Sequence, residues 1–351
     1  MKSGKPSLAP EPVSNDALHV AACAERLLGA PISDARPVTG GGNNRVYRIA
    51  SPSGLYALKF YPRQEADPRD RLGQEFAALG FLAANGVACV PAPVACDRGT
   101  HCALYEWVAG DAPGAARDED IDAMTRLART LAELASTDAA RALCDASASC
   151  FSPDETFRQF NTRVSRLMDS IDDPDLQAFL QNDLHPAMQF VEARARKLCG
   201  DAGTGFEDIL DQNARTLSPS DFGLHNARRQ ADGSLRFLDF EYFGWDDPVK
   251  MIADAYWHPG SKLPDDLAGK LRRDMSDIFN VQDGARFQLR FDALFPAYGA
   301  IWCLIILNEF LPERWSRRIA AGTTESPEAA RARQLQRARV HLQKVIDSSH
   351  D

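Results

Sequence analysis

Asp221, Asn226 and Asp239 lie in two short segments, SPSDFGLHN and LRFLDFEYF, with five positions from the first Asp to the Asn and eighteen from the first Asp to the second. A carboxylate can orient an attacking hydroxyl, and an amide oxygen paired with a second carboxylate is a hard-oxygen set that suits Mg²⁺ better than a softer metal. In-line transfer of a phosphoryl group from ATP needs these parts. Taken singly, each Asp reads as a turn or cap residue. Their coincidence in one stretch assigns Asp221 a catalytic role and makes Asn226 and Asp239 the metal ligands.

The nucleotide needs its own anchors, and the N-terminal part of the chain supplies a candidate for each. Gly40, Gly41 and Gly42 allow close backbone approach to phosphates, and Asn43 or Asn44 can donate hydrogen bonds. A glycine triplet alone is an ordinary loop; its place just before a strand hairpin raises its value. Lys59, in YALKFYP, is a lysine within an apolar strand, where an unpaired ammonium is costly. Glu75, sixteen residues later, is its natural partner. In Leu104 to Val108, backbone groups at Glu106 and Val108 are placed to read adenine.

The elements that must position these groups can be read from periodicity. Ala17 to Leu28 has helical spacing and ends at Gly29. Val46 to Ile49 and Leu55 to Phe60 are strands joined by Ser51-Pro52-Ser53-Gly54, and residues 67–86 form a helix with Phe76, Leu79, Phe81 and Leu82 on its apolar face. Pro91 to Cys96 and Cys102 to Val108 are two more strands. Beyond Gly110 the pattern is helical at 117–138, 153–199, 263–280, 285–311 and 325–347, interrupted by a β-like stretch from Leu217 to Phe240. The expected organisation is a disordered tail at 1–16, a nucleotide-binding lobe at 17–108, and a helical lobe at 109–351 that carries the catalytic loop and the acceptor site.

Composition narrows the class. With 351 residues, 44% hydrophobic and 25% charged, the chain has the balance of a soluble globular protein. A net charge of −9 argues against nucleic acid, and it favours a cationic substrate unless it serves solubility alone. The eight cysteines are scattered without metal-ligand spacing, which suggests reduced thiols. The first sixteen residues lack the apolar core of a secretory signal, so a cytoplasmic location is expected. The run from Leu294 to Leu311 is broken by Pro296, Gly299, Asn308 and Glu309 and reads as a buried helix, not a membrane span.

The motifs GGGNNRVYRI, ALKF, SPSDFGLHN and LDFEYFGWDDPVKMIAD make the chain resemble the aminoglycoside phosphotransferase and choline kinase superfamily, over roughly residues 35–315. The resemblance implies an α+β, two-lobed protein-kinase-like fold, with a small antiparallel sheet and one helix in the N-lobe and a larger, mainly helical C-lobe. It also implies ATP and Mg²⁺ as cofactors and carries over Lys59, Asp221, Asn226 and Asp239 as nucleotide, catalytic and metal positions, with Glu75 as the partner of Lys59. Asp221-Phe222-Gly223 imitates a DFG triplet, but Asn226 follows at once and a second Asp-Phe pair comes later, so Asp239 is the metal position.

The chain departs from the family at Pro219, where a His normally stands two residues before the catalytic Asp. That departure keeps open an alternative, a nucleotide-binding pseudokinase or regulator without turnover. Too few residues separate Asp239 from Asp254 for a peptide platform, so the expected acceptor is a small-molecule alcohol: an amino sugar, amino alcohol, sugar or lipid-like alcohol. Phe287, Phe291, Phe295, Tyr298, Trp302 and Ile305 form a stripe that reads as core, or as an amphipathic acceptor's wall where it meets the cleft. Asn308 and Glu309 are second-site contacts or satisfied core groups. Asp254 is expected to bond backbone. His225 reads as a solvent or strand neighbour, and His258 as a turn residue before a substrate contact.

Overall fold

The computed structural model describes residues 15–38, 44–62, 69–170, 172–312, 314–315 and 325–350. Five antiparallel strands form the first sheet: β1 (Asp34–Val38), β2 (Arg45–Ser51), β3 (Gly54–Phe60), β4 (Pro93–Asp97) and β5 (Cys102–Glu106), in the order β1-β2-β3-β5-β4. The Ser51 to Gly54 turn closes the β2–β3 hairpin as expected. The edge strand β1 was not legible in the sequence, because DARPV lacks alternation and carries a proline, which sheets accept at an edge.

Period-two alternation sends the side chains of β3 and β5 to opposite faces. Leu58, Phe60, Cys102 and Leu104 meet Val20, Cys23 and Ala24 of α1 (Asn15–Leu28) in a separate apolar cluster. Ala103 and Tyr105 face the other way, towards Leu79 and Leu82 of α2 (Arg71–Ala84), and Lys59 shares their face. α2 starts where the Asp70 carboxylate accepts from the Gly73 amide at 3.0 Å, and Gly86, at φ +75°, lets the chain turn away after it. The sheet is therefore sandwiched, with α1 on the face opposite the helix that carries Glu75.

The rest is mainly helical: α3 (Asp118–Ala135), α4 (Pro153–Ser170), α5 (Pro174–Ala178), α6 (His185–Asp201), α7 (Pro248–Trp257), α8 (Asp265–Asp283), α9 (Ala285–Ile306) and α10 (Pro327–His350). The periodic stretch 153–199 is broken, because Asp173 caps a new helix by accepting from the Leu176 amide at 3.0 Å and Pro174 fills its first turn. α9 is the central pillar, packed by α4, α6, α7 and α10. Ala285–Phe310 is long and apolar enough to cross a membrane, yet 83% of its most apolar window is buried inside the protein.

Two short strand pairs interrupt the helices. β6 (Thr216–Ser218) pairs with β9 (Gly244–Asp246), and β7 (Ala227–Arg229) pairs with β8 (Leu235–Phe237). Asp221 hangs between β6 and β7, and Asp239 between β8 and β9. Arg229 grips Asp120 of α3 with two bonds of 2.7 Å, which fixes this hairpin to the helical body. α7 is fixed to β9 by buried Lys250, which donates to Asp246 at 2.9 Å and to Asp254 at 2.8 Å. Trp302 Nε1 donates to the second oxygen of Asp254 at 3.0 Å, so Asp254 bonds two side chains rather than the expected backbone.

Removing the ammonium from this triad leaves two buried carboxylates facing each other. Lys250→Met is expected to cost about 3–5 kcal/mol of folding stability, measured as a lower urea midpoint with unchanged slope. A midpoint equal to wild type would contradict the role of the triad.

Candidate active site

Lys59 lies almost wholly buried among three carboxylates. Its Nζ stands 2.7 Å from Glu75 Oε2, 2.5 Å from Asp239 Oδ1 and 3.6 Å from Glu241 Oε2. Burial works against the ammonium, but Asp239, Glu75 and Glu241 outweigh it and hold the Lys59 pKa well above its ordinary value. Glu75 is further held by the Tyr61 hydroxyl at 2.5 Å and by the Phe240 amide at 3.1 Å, so α2 is tied directly to the segment that carries Asp239. Glu241 accepts from Arg71 at 2.8 Å and from Asn44 at 2.6 Å.

Sequence reasoning missed Glu241 and Arg71. A signal was available: Glu241 follows Asp239 by two positions, which in extended chain places both on one side. The Asn44 amide nitrogen, expected to face phosphate, is engaged by Glu241 instead. Gly41, Gly42 and Asn43 lie outside the described residues.

Asp221 is approached from two sides by imidazoles. His225 Nε2 donates to its Oδ1 at 2.9 Å, and His258 Nε2 stands 3.4 Å from the same oxygen. A carboxylate only accepts, so both rings carry their proton on Nε2 in the neutral form. For His258 the assignment is doubly fixed, because its Nδ1 accepts from the Gly260 amide at 2.9 Å. The rings stack with centroids 3.7 Å apart and planes 8° from parallel, and Trp302 meets His258 edge-on at 4.6 Å. Burial opposes the Asp221 charge, but the His225 hydrogen bond and the field of both rings outweigh it and keep the carboxyl below its usual range.

The expected solvent or strand neighbour at 225 and turn residue at 258 are thus both contacts of Asp221. His225 reaches it because a single 3₁₀ turn separates them, and His258 because it caps the C-terminus of α7. The second contact depends on tertiary packing and left no local signal. Pro219 accepts the Asp221 amide at 2.8 Å, and Ser220 between them takes a left-handed φ of +63°.

Asn226 donates its amide nitrogen to the Asp221 backbone oxygen at 2.9 Å, which leaves its amide oxygen as the possible cation ligand. Asp239 is in left-handed backbone at φ +66°, a conformation unfavourable for a residue with a Cβ. Its side chain is 36% exposed, against 4% for Glu75 and 2% for Glu241. The local charges do not cancel: Lys59 and Arg71 oppose Glu75, Asp239 and Glu241. The excess negative charge and the accessible Asp239 carboxylate, grouped with Glu75 and Glu241, fit a hard divalent cation.

At the join between sheet and helices, the Glu106 side chain forms a forked ion pair with Arg236 at 2.6 and 2.7 Å. Its amide donates to Ala92 O at 2.8 Å, and the Trp107 amide to Leu55 O at 3.2 Å. Among the described residues the buried Val108 backbone makes no such bond, so it is the freer of the two expected adenine contacts. Asp221 and His258 line a cavity of about 610 Å³ together with Tyr298, Trp302 and Ile305. Phe287, Phe291 and Phe295 of the same stripe are buried in the core, while Asn308 and Glu309 line the cavity.

Residues 34–280 match the model of a family described as "Phosphotransferase enzyme family". A search of the curated proteins returned no match. Among solved structures, a choline/ethanolamine kinase family protein from Mesorhizobium loti aligns over 95% of this chain and 98% of its own, with a TM-score of 0.57 and 14% identity. Choline kinase LicA from Streptococcus pneumoniae aligns over 94% of this chain and 100% of its own, with a TM-score of 0.56 and 15% identity. A spectinomycin phosphotransferase in complex with ADP and spectinomycin aligns over 95% and 97%, with a TM-score of 0.59 and 13% identity. At these identities the likeness is one of fold, and the fold is α+β and protein-kinase-like.

Burial, with the adjacent His225, pushes His258 from 6.5 down to about 4. Between those values the unfolded chain binds a proton that the folded chain refuses, so stability is full above pH 6.5 and falls as pH drops towards 4. His341 sits at about 4 for the same reason of burial. Urea midpoints measured across this window should decline in wild type and decline less steeply in His258→Asn. An unchanged slope in the variant would contradict a neutral, buried His258.

Proposed function

The chain belongs to the phosphotransferase enzyme family, and from that premise we propose that it moves the γ-phosphate of ATP to a hydroxyl of a small molecule, with Asp221 orienting that hydroxyl. The observation that carries the reading is the Asp221 carboxylate, held by two imidazoles at the wall of an open cavity and joined through its own carbonyl to Asn226. In this reading residues 17–108 serve the nucleotide, residues 109–351 serve catalysis and the acceptor, and the location is cytoplasmic.

Lys59 is the ammonium that contacts the α- and β-phosphates. Glu75 fixes it in direction, because a carboxylate hydrogen-bonded by Tyr61 and Phe240 cannot follow the lysine elsewhere. Val108 offers the adenine a backbone donor and acceptor. Asn226 and Asp239 would hold Mg²⁺, which when bound neutralises phosphate charge and so lowers the barrier to attack. Ionised Asp221 accepts a hydrogen bond from the acceptor hydroxyl and directs its lone pair at the γ-phosphorus. As the new P–O bond forms and the bond to the ADP oxygen breaks, the hydroxyl proton passes to Asp221.

The alternative, a nucleotide-binding regulator without turnover, draws on Pro219. The contacts of Asp221 weigh against it: His225 and His258 restrain the carboxylate from other elements, so loop order does not rest on position 219 alone.

ADP release measured over a panel of alcohols tests the reading. Asp221→Asn should lower kcat by about 10²- to 10⁴-fold while ATP still binds. Lys59→Met should raise the KM for ATP and lower kcat together. Full turnover in Asp221→Asn would remove that residue from the mechanism, and ATP binding without any phosphorylated product would favour the regulator.

A further inference from the structure

Two polar atoms beside the candidate active site have no hydrogen-bond partner among the described residues, and both face the same space. They are His225 Nδ1 and the Ser261 hydroxyl, each shut off from water. A Cβ built on Gly223 would stand 2.5 Å from Ser261 Oγ and 2.7 Å from His225 Nδ1, so the two atoms converge on the gap that this glycine leaves open. Ser261 as a whole is only 5% exposed. A buried hydroxyl and a buried ring nitrogen are each unfavourable when unmatched, and here each can satisfy the other.

Proton positions decide the sense of that match. His225 reaches Asp221 Oδ1 through Nε2 at 2.9 Å, and a carboxylate only accepts, so in the neutral ring Nε2 holds the proton and Nδ1 a lone pair. Only a donor meets that lone pair. The Ser261 hydroxyl is such a donor, and rotation about its Cα–Cβ bond, or one shared water, carries its proton to Nδ1. His258, the other imidazole at Asp221, already has the matching arrangement, with its Nδ1 accepting from the Gly260 amide at 2.9 Å. Gly260 and Ser261 are neighbours in one turn that follows α7 and is closed by the Ser261 amide donating to the His258 carbonyl at 3.1 Å. A Cβ on Gly260 would meet His258 Cε1 at 2.8 Å and His225 Cβ at 3.2 Å, so this turn packs directly on the stacked rings.

Resting on the reading of Asp221 as the group that orients the acceptor hydroxyl, we propose that Ser261 is a positioning residue: its hydroxyl donates to His225 Nδ1 and so holds the ring in the tautomer that bonds Asp221. The turn at 258–261 then sets both imidazoles, His258 through a backbone amide and His225 through a side chain. Which nitrogen of a histidine carries the proton is decided by the bond the other one makes. In the opposite tautomer of His225, Nε2 would turn a lone pair towards the carboxylate, and Asp221 would lose its 2.9 Å hydrogen bond. Ser261 touches neither phosphate nor acceptor in this account and acts only through His225.

The test uses the full-length, isotopically labelled protein and NMR spectra that correlate the imidazole nitrogens with their ring protons, at a pH well above the ordinary histidine value of about 6.5. The chain has 7 histidines, and His225→Asn identifies the signals of that ring by their loss. Wild type should show the His225 proton on Nε2. In Ser261→Ala the His225 signals should move towards a mixture of tautomers, while those of His258, held by Gly260, stay in place. Ser261→Thr, which keeps the hydroxyl, should restore the wild-type pattern. With the alcohol of the panel that gives most ADP release, Ser261→Ala should lower kcat about three- to tenfold at unchanged KM for ATP, and should cost nothing further in a His225→Asn background. An unmoved His225 tautomer in Ser261→Ala overturns the proposal, and so does a loss of kcat that persists in full without the His225 ring. A moved tautomer in a protein that releases no ADP with any alcohol overturns the transferase reading and leaves the Ser261–His225 contact standing.

Discussion

The buried contact between Lys59 and its three carboxylates is the constraint on which the site depends. An ammonium on a sheet strand is stable out of water only when several partners surround it, and here they come from two other parts of the chain. Glu75 brings α2, and Asp239 and Glu241 bring the segment between β8 and β9. Arg71 and the Phe240 amide then satisfy the oxygens of Glu241 and Glu75 that Lys59 leaves over. One electrostatic knot therefore sets how the sheet, its helix and the segment between β8 and β9 meet. Each member is held by a group from another element, so displacement of any one is felt at Asp239.

A second group, Asp221 with His225 and His258, is built on the other principle available to a carboxylate. It is flanked by two imidazoles, His225 bonded to it at 2.9 Å and His258 at 3.4 Å. The His225 hydrogen bond and the field of both rings stabilise the ionised form. The stacked rings are braced in turn by Trp302 from α9, the pillar of the helical body. Orientation of Asp221 thus traces back to that pillar.

Much of this was legible in the sequence. Asp221, Asn226 and Asp239 are close along the chain, and Lys59 stands out as a charge in an apolar strand that requires a partner within helical reach. The fold class followed from periodicities that switch near residue 110. What escaped notice depended on contacts between distant segments: His258 against Asp221, and Arg71 against Glu241. Edge strand β1 escaped for a different reason, because an edge needs neither alternation nor a free N–H at every residue.

The two faces of the first sheet have different histories in a growing chain. The cluster against α1 uses residues 20–104 only, so it can close as soon as β5 has left the ribosome. The opposite face, with Tyr61, Leu72, Leu79 and Tyr105, belongs to a core that reaches to Val345 at the far end of the sequence. During synthesis α2 can cover that face as early as α1 covers the other, but the rest of this core waits for more than two hundred further residues. The nascent N-terminal segment is a sandwiched sheet whose α2 side still lacks its later partners, and it is this intermediate, more than the finished protein, that needs shielding from aggregation.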